Sequence, residues 1–138
     1  MVETHEFRQA HVELERTCEA VREAARRLPS LAAPERALER DGVLDLLAGL
    51  EGHMALDERV LFPEVAERLG DPLATASMSY DHRAIREWLR LIHAAPLDPP
   101  DELQQLLYGL DALIRVHVWK EDELYLAMLE SPSWPGSA

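Results

Sequence analysis

The sequence predicts an all-α chain folded as an up-down-up-down antiparallel four-helix bundle, and three observations carry that prediction. Apolar residues recur at three-and-four spacing through four long segments, the signature of helices with one buried face. Pro and Gly punctuate the chain between those segments, at Pro29 to Pro34, Gly70-Asp71-Pro72 and Pro96 to Pro100. No stretch alternates convincingly as a half-buried strand would. Connections of mostly short length make sequential helices antiparallel neighbours.

The first helix is expected from about Glu3 to Leu28, with Phe7, Leu14, Cys18, Val21, Ala25 and Leu28 on its stripe. The second is expected to start near Asp41, after a connection over Pro29 to Arg40, and carries Leu44, Leu47, Leu50, Met54, Leu61 and Val65. Gly42, Gly49 and Gly52 weaken its intrinsic helicity, and Pro63 should kink it about one turn before its end near Leu69. Gly70 reads as its C-terminal cap, Asp71 as the next N-cap and Pro72 as the first position of the third helix. That helix runs to about Ala94 on Met78, Ile85, Leu89 and Ile92, flanked by Trp88. Asp98-Pro99 repeats the N-cap and Pro signal, and the fourth helix carries Leu103, Leu106, Leu110, Leu113, Leu124 and Met128 before Ser131-Pro132 ends it. Residues 1–130 thus read as one bundle and 131–138 as a loose C-terminal tail.

Composition narrows what such a bundle can do. A net charge of -12 argues against a nucleic-acid partner, because that affinity comes largely from neutralising phosphates with Lys and Arg. No apolar run approaches the length of a membrane span, and the start Met1-Val2-Glu3-Thr4-His5-Glu6 lacks the basic and apolar blocks of a signal peptide, so a cytoplasmic location is expected. Cys18 is the only cysteine, so any metal has to be held by His and carboxylates.

Those side chains occur in a repeat. His53-Met54-Ala55-Leu56-Asp57-Glu58 on the second helix and His117-Val118-Trp119-Lys120-Glu121-Asp122 on the fourth share one pattern, one helix hairpin apart. Residues four apart lie on one helix face about a turn apart, so His53 with Asp57, and His117 with Glu121, can each present two donors to one ion. The first and third helices repeat more faintly: His11 precedes Leu14 and Cys18 as His82 precedes Ile85 and Leu89. Depth is consistent for two pairs: Asp57 and His82 lie about 20 and 17 Å from their shared turn at 1.5 Å per residue, and His11 and His53 match around the Pro29 to Arg40 connection. The His82 and His117 pair matches less well and requires the Pro96 to Pro100 loop to absorb an offset. A buried His beside a buried carboxylate is costly unless paired or metal-bound, and imidazole with carboxylate suits iron, manganese or zinc. Glu58, Asp122 and Glu123 read as solvated charges, with Glu58 the fallback for Asp57. His5 and His93 read as bystanders, Tyr125 and Cys18 as core, and Arg86 as the partner of an acid such as Glu87 or Asp57.

The pattern His53-x-x-x-Asp57-Glu58-x-x-Leu61-Phe62-Pro63 closely resembles the second-helix signature of hemerythrin-like cation-binding proteins, His-x-x-x-Glu-Glu-x-x-Leu-Phe-Pro. His11, His82 and His117-x-x-x-Glu121 fall where that family places its other ligands, and the resemblance runs from about His11 to Met128. It implies a hemerythrin-like bundle with a non-haem di-iron site, two ions per chain, held by His11, His53, Asp57, His82, His117 and Glu121. Two positions depart from the family. Asp57 stands where a bridging Glu is usual, and Arg86 stands where oxygen carriers have a further His. The missing donor would leave an open or water-filled position, or weaken one of the two sites.

The function this implies is binding or sensing of oxygen, nitric oxide or peroxide rather than oxygen storage. The alternatives are iron-dependent peroxide reduction, iron donation in iron-sulfur cluster repair, and a metal-free structural or interaction bundle.

Overall fold

The computed structural model describes residues 3–131, and among them every regular element is helical. Helix α1 spans Thr4–Arg27 and ends in a short 3-10 turn, Leu28–Ser30. Helix α2, Ala33–Leu46, leads through a turn at 47–49 into α3, Leu50–Leu56. A π turn over Asp57–Leu61 joins α3 to α4, Phe62–Leu69. Helix α5 is Ala76–Ala94 and α6 is Asp101–Lys120. A second π turn, Glu121–Leu126, joins α6 to α7, Ala127–Glu130. The run from α2 to α4 forms one arm of the bundle and the run from α6 to α7 another. α1 packs against α6 and α2, and α5 against α6 and α2, which closes the four-helix ring.

The second arm begins earlier than the sequence indicates, at Ala33 rather than near Asp41. Pro34 lies in the first helical turn, where its missing N–H costs nothing, and Glu35 turns back to accept the Ala32 N–H at 3.3 Å. What reads as loop punctuation is a helix start, so the Pro29 to Arg40 connection shrinks to a few residues. Arg36 from this added stretch donates to the Leu28 and Leu97 carbonyls at 2.9 and 3.0 Å, tying together the chain at one end of the bundle. Gly70 caps α4 as expected, at φ 65°. The next helix, however, starts at Ala76 and not at Pro72. Asp71 Oδ1 accepts the Leu73 N–H at 2.9 Å, so Asp71 caps an intervening turn. Asp98 likewise does not cap the fourth helix. Pro100 pushes residue 99 away from helical geometry, and α6 starts at Asp101.

The largest departure from simple periodicity lies in the two π turns. Each begins at the carboxylate of the repeated motif, Asp57 in one and Glu121 in the other, and closes with a bond one residue longer than in an α-helix: Phe62 N–H to Asp57 O, and Ala127 N–H to Asp122 O. The extra residue shifts the stripe by one position. Leu124, expected in the core, is therefore 54% exposed, while Tyr125 and Leu126 turn inward. Pro63 sits just beyond the first π turn, but the second has no proline, so proline is not the shared cause.

Two apolar clusters fill the interior. The larger includes Cys18, Val21, Leu28, Leu50, Met54, Ile85, Ile92, Leu107, Leu110 and Ile114. The smaller comprises Phe7, Leu61, Phe62, Val65, Met78, Tyr125 and Leu126. Each arm runs from one cluster to the other through a polar layer. Gly109 marks a close approach within the bundle, since a Cβ there would lie 2.0 Å from Trp88 Cζ3. Gly109→Ala gains about 1 kcal/mol of helix propensity but forces the indole aside at about 1–3 kcal/mol. A lowered urea midpoint is the expected result, and a raised midpoint would show that the ring yields freely.

Candidate metal centre

The polar layer between the clusters is built from one inward position per helical turn. α1 places His11 between Phe7 and Cys18, and α5 places His82 between Met78 and Ile85. α3 and its π turn supply His53 and Asp57, and α6 and its π turn supply His117 and Glu121. His11, Asp57, His82, His117 and Glu121 are buried, and the His53 side chain is 10% exposed. All six side chains singled out from the sequence therefore converge. The His82 and His117 offset is absorbed: their Nε2 atoms lie 3.0 Å apart.

The donors form two sets that share one residue. His11, His53 and Glu121 make one; Asp57, His82, His117 and Glu121 make the other; in each set the ligand atoms lie within 4.8 Å of one another. Glu121 Oε1 is 2.9 Å from His11 Nε2 and 3.8 Å from His53 Nε2, while Oε2 is 2.6 Å from His117 Nε2. Asp57 Oδ2 lies 3.3, 3.5 and 3.8 Å from the Nε2 atoms of His82, His53 and His117. Glu121 thus offers one oxygen to each side, and Asp57 directs one oxygen at three imidazoles.

Electrostatics test whether cations fit here. Burial alone would lower the His117 imidazole, but Asp57, Glu121 and Asp81 outweigh it and hold it up to about 10. His11 is raised against the same burial cost by Glu121 and Asp122. Burial would raise Glu121, yet His11, His117 and His53 hold its carboxyl far below the usual range. Burial, reinforced by Glu121, pushes Asp57 up against the pull of His117 and His82. The cluster demands positive charge between its lone pairs. His53 Nε2, both Asp57 oxygens and Glu121 Oε2 are also buried without a hydrogen-bond partner, an arrangement costly in a core and relieved by a bound ion. The residues present fit a two-cation site.

Around this layer lies a set of acids, of which the sequence alone reads Asp122 and Glu58 as solvated charges. Asp122 Oδ1 accepts His11 Nδ1–H at 2.7 Å, and Asp81 Oδ2 accepts His117 Nδ1–H at 2.9 Å. Arg8 lies 3.7 Å from Asp122, and Lys120 pairs with Asp81. Because a carboxylate only accepts, these bonds fix the proton on Nδ1 and leave Nε2 to point inward. Burial would raise Asp81, but Lys120 and His117 hold it below its ordinary value. The available signal was adjacency: Asp122 follows Glu121 and Asp81 precedes His82, which places each acid on the flank facing the next helix. Glu58 is likewise not a free surface charge, since it pairs with Arg86 at 2.9 Å. Arg86 pairs with acids as expected, but with Glu51 and Glu58 in place of Glu87 or Asp57, Glu87 being taken by Arg90.

The remaining assignments are simpler. His5 and His93 are exposed and outside the layer, and Glu123 is exposed. Tyr125 is core, with its hydroxyl donating to Ala74 O at 3.1 Å. Cys18 packs as a small apolar residue, its thiol pushed up to about 12 by burial and by Asp111. The loose tail expected over residues 131–138 lies outside the described residues from 132 onward.

Comparison with known families finds one that matches residues 2–129, described as the hemerythrin HHE cation binding domain. No curated protein and no solved structure matches the chain. No described helix is long and apolar enough to cross a membrane.

Proposed function

Because the chain belongs to the hemerythrin HHE cation-binding domain family, we propose that its buried cluster holds two iron ions and there binds or senses oxygen, nitric oxide or peroxide. The observation that carries this reading is the division of Glu121, whose two oxygens face opposite donor sets. His11, His53 and Glu121 Oε1 would hold one ion, and His82, His117, Asp57 and Glu121 Oε2 the other. Zinc and manganese suit the same donors, so iron rests on the family. When bound, iron supplies an electrophilic, redox-active centre that a small ligand can meet.

The chain's own part is to orient and to shield. Asp122 and Asp81 hold two imidazoles with Nε2 inward. The apolar clusters on either side limit water, which strengthens every electrostatic contact inside the layer. Asp57 is one methylene shorter than the usual Glu, and its Oδ2 still lies 3.5 Å from His53 Nε2 and 3.3 Å from His82 Nε2, which would leave it within reach of both donor sets.

The test is metal analysis with optical spectroscopy on protein produced with added iron. Two irons per chain, with charge-transfer absorption that changes on adding nitric oxide, are expected. Far less than one iron per chain and no such absorption would sink the reading.

A further inference from the structure

Three of the inward imidazoles have an acid beside Nδ1, and each acid has a cation beside it, but the third case differs. For His11 and His117 the acid is bound directly, at 2.7 and 2.9 Å. For His82 the acid is Glu58, whose Oε1 stands 3.6 Å from Nδ1, beyond a hydrogen bond. His82 Nδ1 is fully buried and has no hydrogen-bond partner. The reason is visible in Arg86, which grips both Glu58 oxygens at 2.9 and 3.1 Å and is itself anchored on Glu51 at 2.8 to 3.1 Å. Arg86 and Glu58 are each about one-third exposed, so the clamp lies at the rim of the layer, between α3, the first π turn and α5.

We propose that Arg86 is a positioning residue that withholds Glu58 from His82, making His82 a weaker donor than His117 within the donor set they share. An acid bonded to Nδ1 raises the basicity of a ligating imidazole, and a missing bond lowers it. Arg86 Nη2 straddles both Glu58 oxygens while Nε and Nη2 together hold Glu51, a charge-assisted contact that Nδ1–H cannot match from 3.6 Å. The side chain that replaces a further His at this position therefore acts on the metal through Glu58, from outside the donor set. The proposal rests on the two-metal reading above and sharpens it.

A double-mutant cycle tests it, with Arg86→Met, Glu58→Gln and the double variant in the full chain. Circular dichroism checks that the variants fold, which the exposure of both side chains favours. In Arg86→Met, Glu58 closes onto His82. The iron-loaded protein then shows a lower reduction potential at one ion, zinc at the position that His82 serves binds up to about tenfold more tightly, and the His82 Nδ1 proton of the zinc form moves downfield in NMR. In the Glu58→Gln background the same Arg86→Met change produces little of any of these, because the carboxylate it releases is gone. If the shift persists at full size in that background, the lost positive charge acts through space and the proposal falls. It falls too if Arg86→Met leaves the potential and the His82 proton unmoved in protein that still carries two metals, and there the two-metal reading stands. A wild-type chain that takes up neither iron nor zinc removes both.

Discussion

Glu121→Ala is expected to empty both metal positions together, bringing bound metal well below one ion per chain after desalting. Each donor set loses a carboxylate oxygen, because Oε1 faces His11 and His53 while Oε2 faces His117. Losing a ligand atom should cost more than the about 10–100-fold that loss of an outer partner costs. The metal-free variant carries a second, pH-dependent signature. His117 is raised from 6.5 to about 10 in the fold, partly by Glu121, and a raised imidazole stabilises the fold fully below 6.5 and ceases to do so as pH rises through about 10. Relative to metal-free parent, the urea midpoint of Glu121→Ala should therefore fall more at pH 6 than at pH 10 on the His117 account. A variant that keeps two ions, or loses only one, would show that Glu121 does not serve both sides.

Metal removal is expected to lower stability more than any single surface change. Ions that bind only the folded chain stabilise it by about 4 kcal/mol when free metal is a thousandfold above Kd, a midpoint shift on the order of 10 °C for a domain of this size. The buried lone pairs of His53 and Asp57 lack hydrogen-bond partners without an ion, so the metal-free state carries their desolvation cost. Thermal melts of chelator-treated protein before and after adding back iron or zinc measure the difference. A midpoint indifferent to both metals would mark the cluster as a structural remnant.

The architecture was legible because its main signals are local and repeated. Four apolar stripes, the left-handed cap at Gly70 and the stop at Ser131 follow from residues read in isolation. The inward position of the six His, Asp and Glu side chains was also legible, since each lies in step with the core residues before it. What was not legible depends on geometry that periodicity assumes rather than reveals. Leu124 was misplaced because a regular helix was carried through a π turn, and the start of the second arm was missed because Pro34 marks loops and helix starts alike. The roles of Asp81, Asp122 and Glu58 stayed hidden for another reason: each meets a histidine on a different helix, and spacing along one helix is silent about the flank of its neighbour.

The placement of the polar layer between two separate apolar clusters has a consequence for how the molecule comes apart. Every arm passes from the larger cluster to the smaller one through a histidine or a histidine and an acid, so a pair of ions would rivet the small end to the rest. Among the described residues the smaller cluster draws on seven buried side chains, including Phe7 in the first turn of α1 and Leu126 at the end of the second π turn. Without the rivet that end becomes a separate cooperative unit of low stability. In metal-free protein its amides should exchange with deuterium by sub-global opening, while those around Leu107 and Leu110 still wait for complete unfolding.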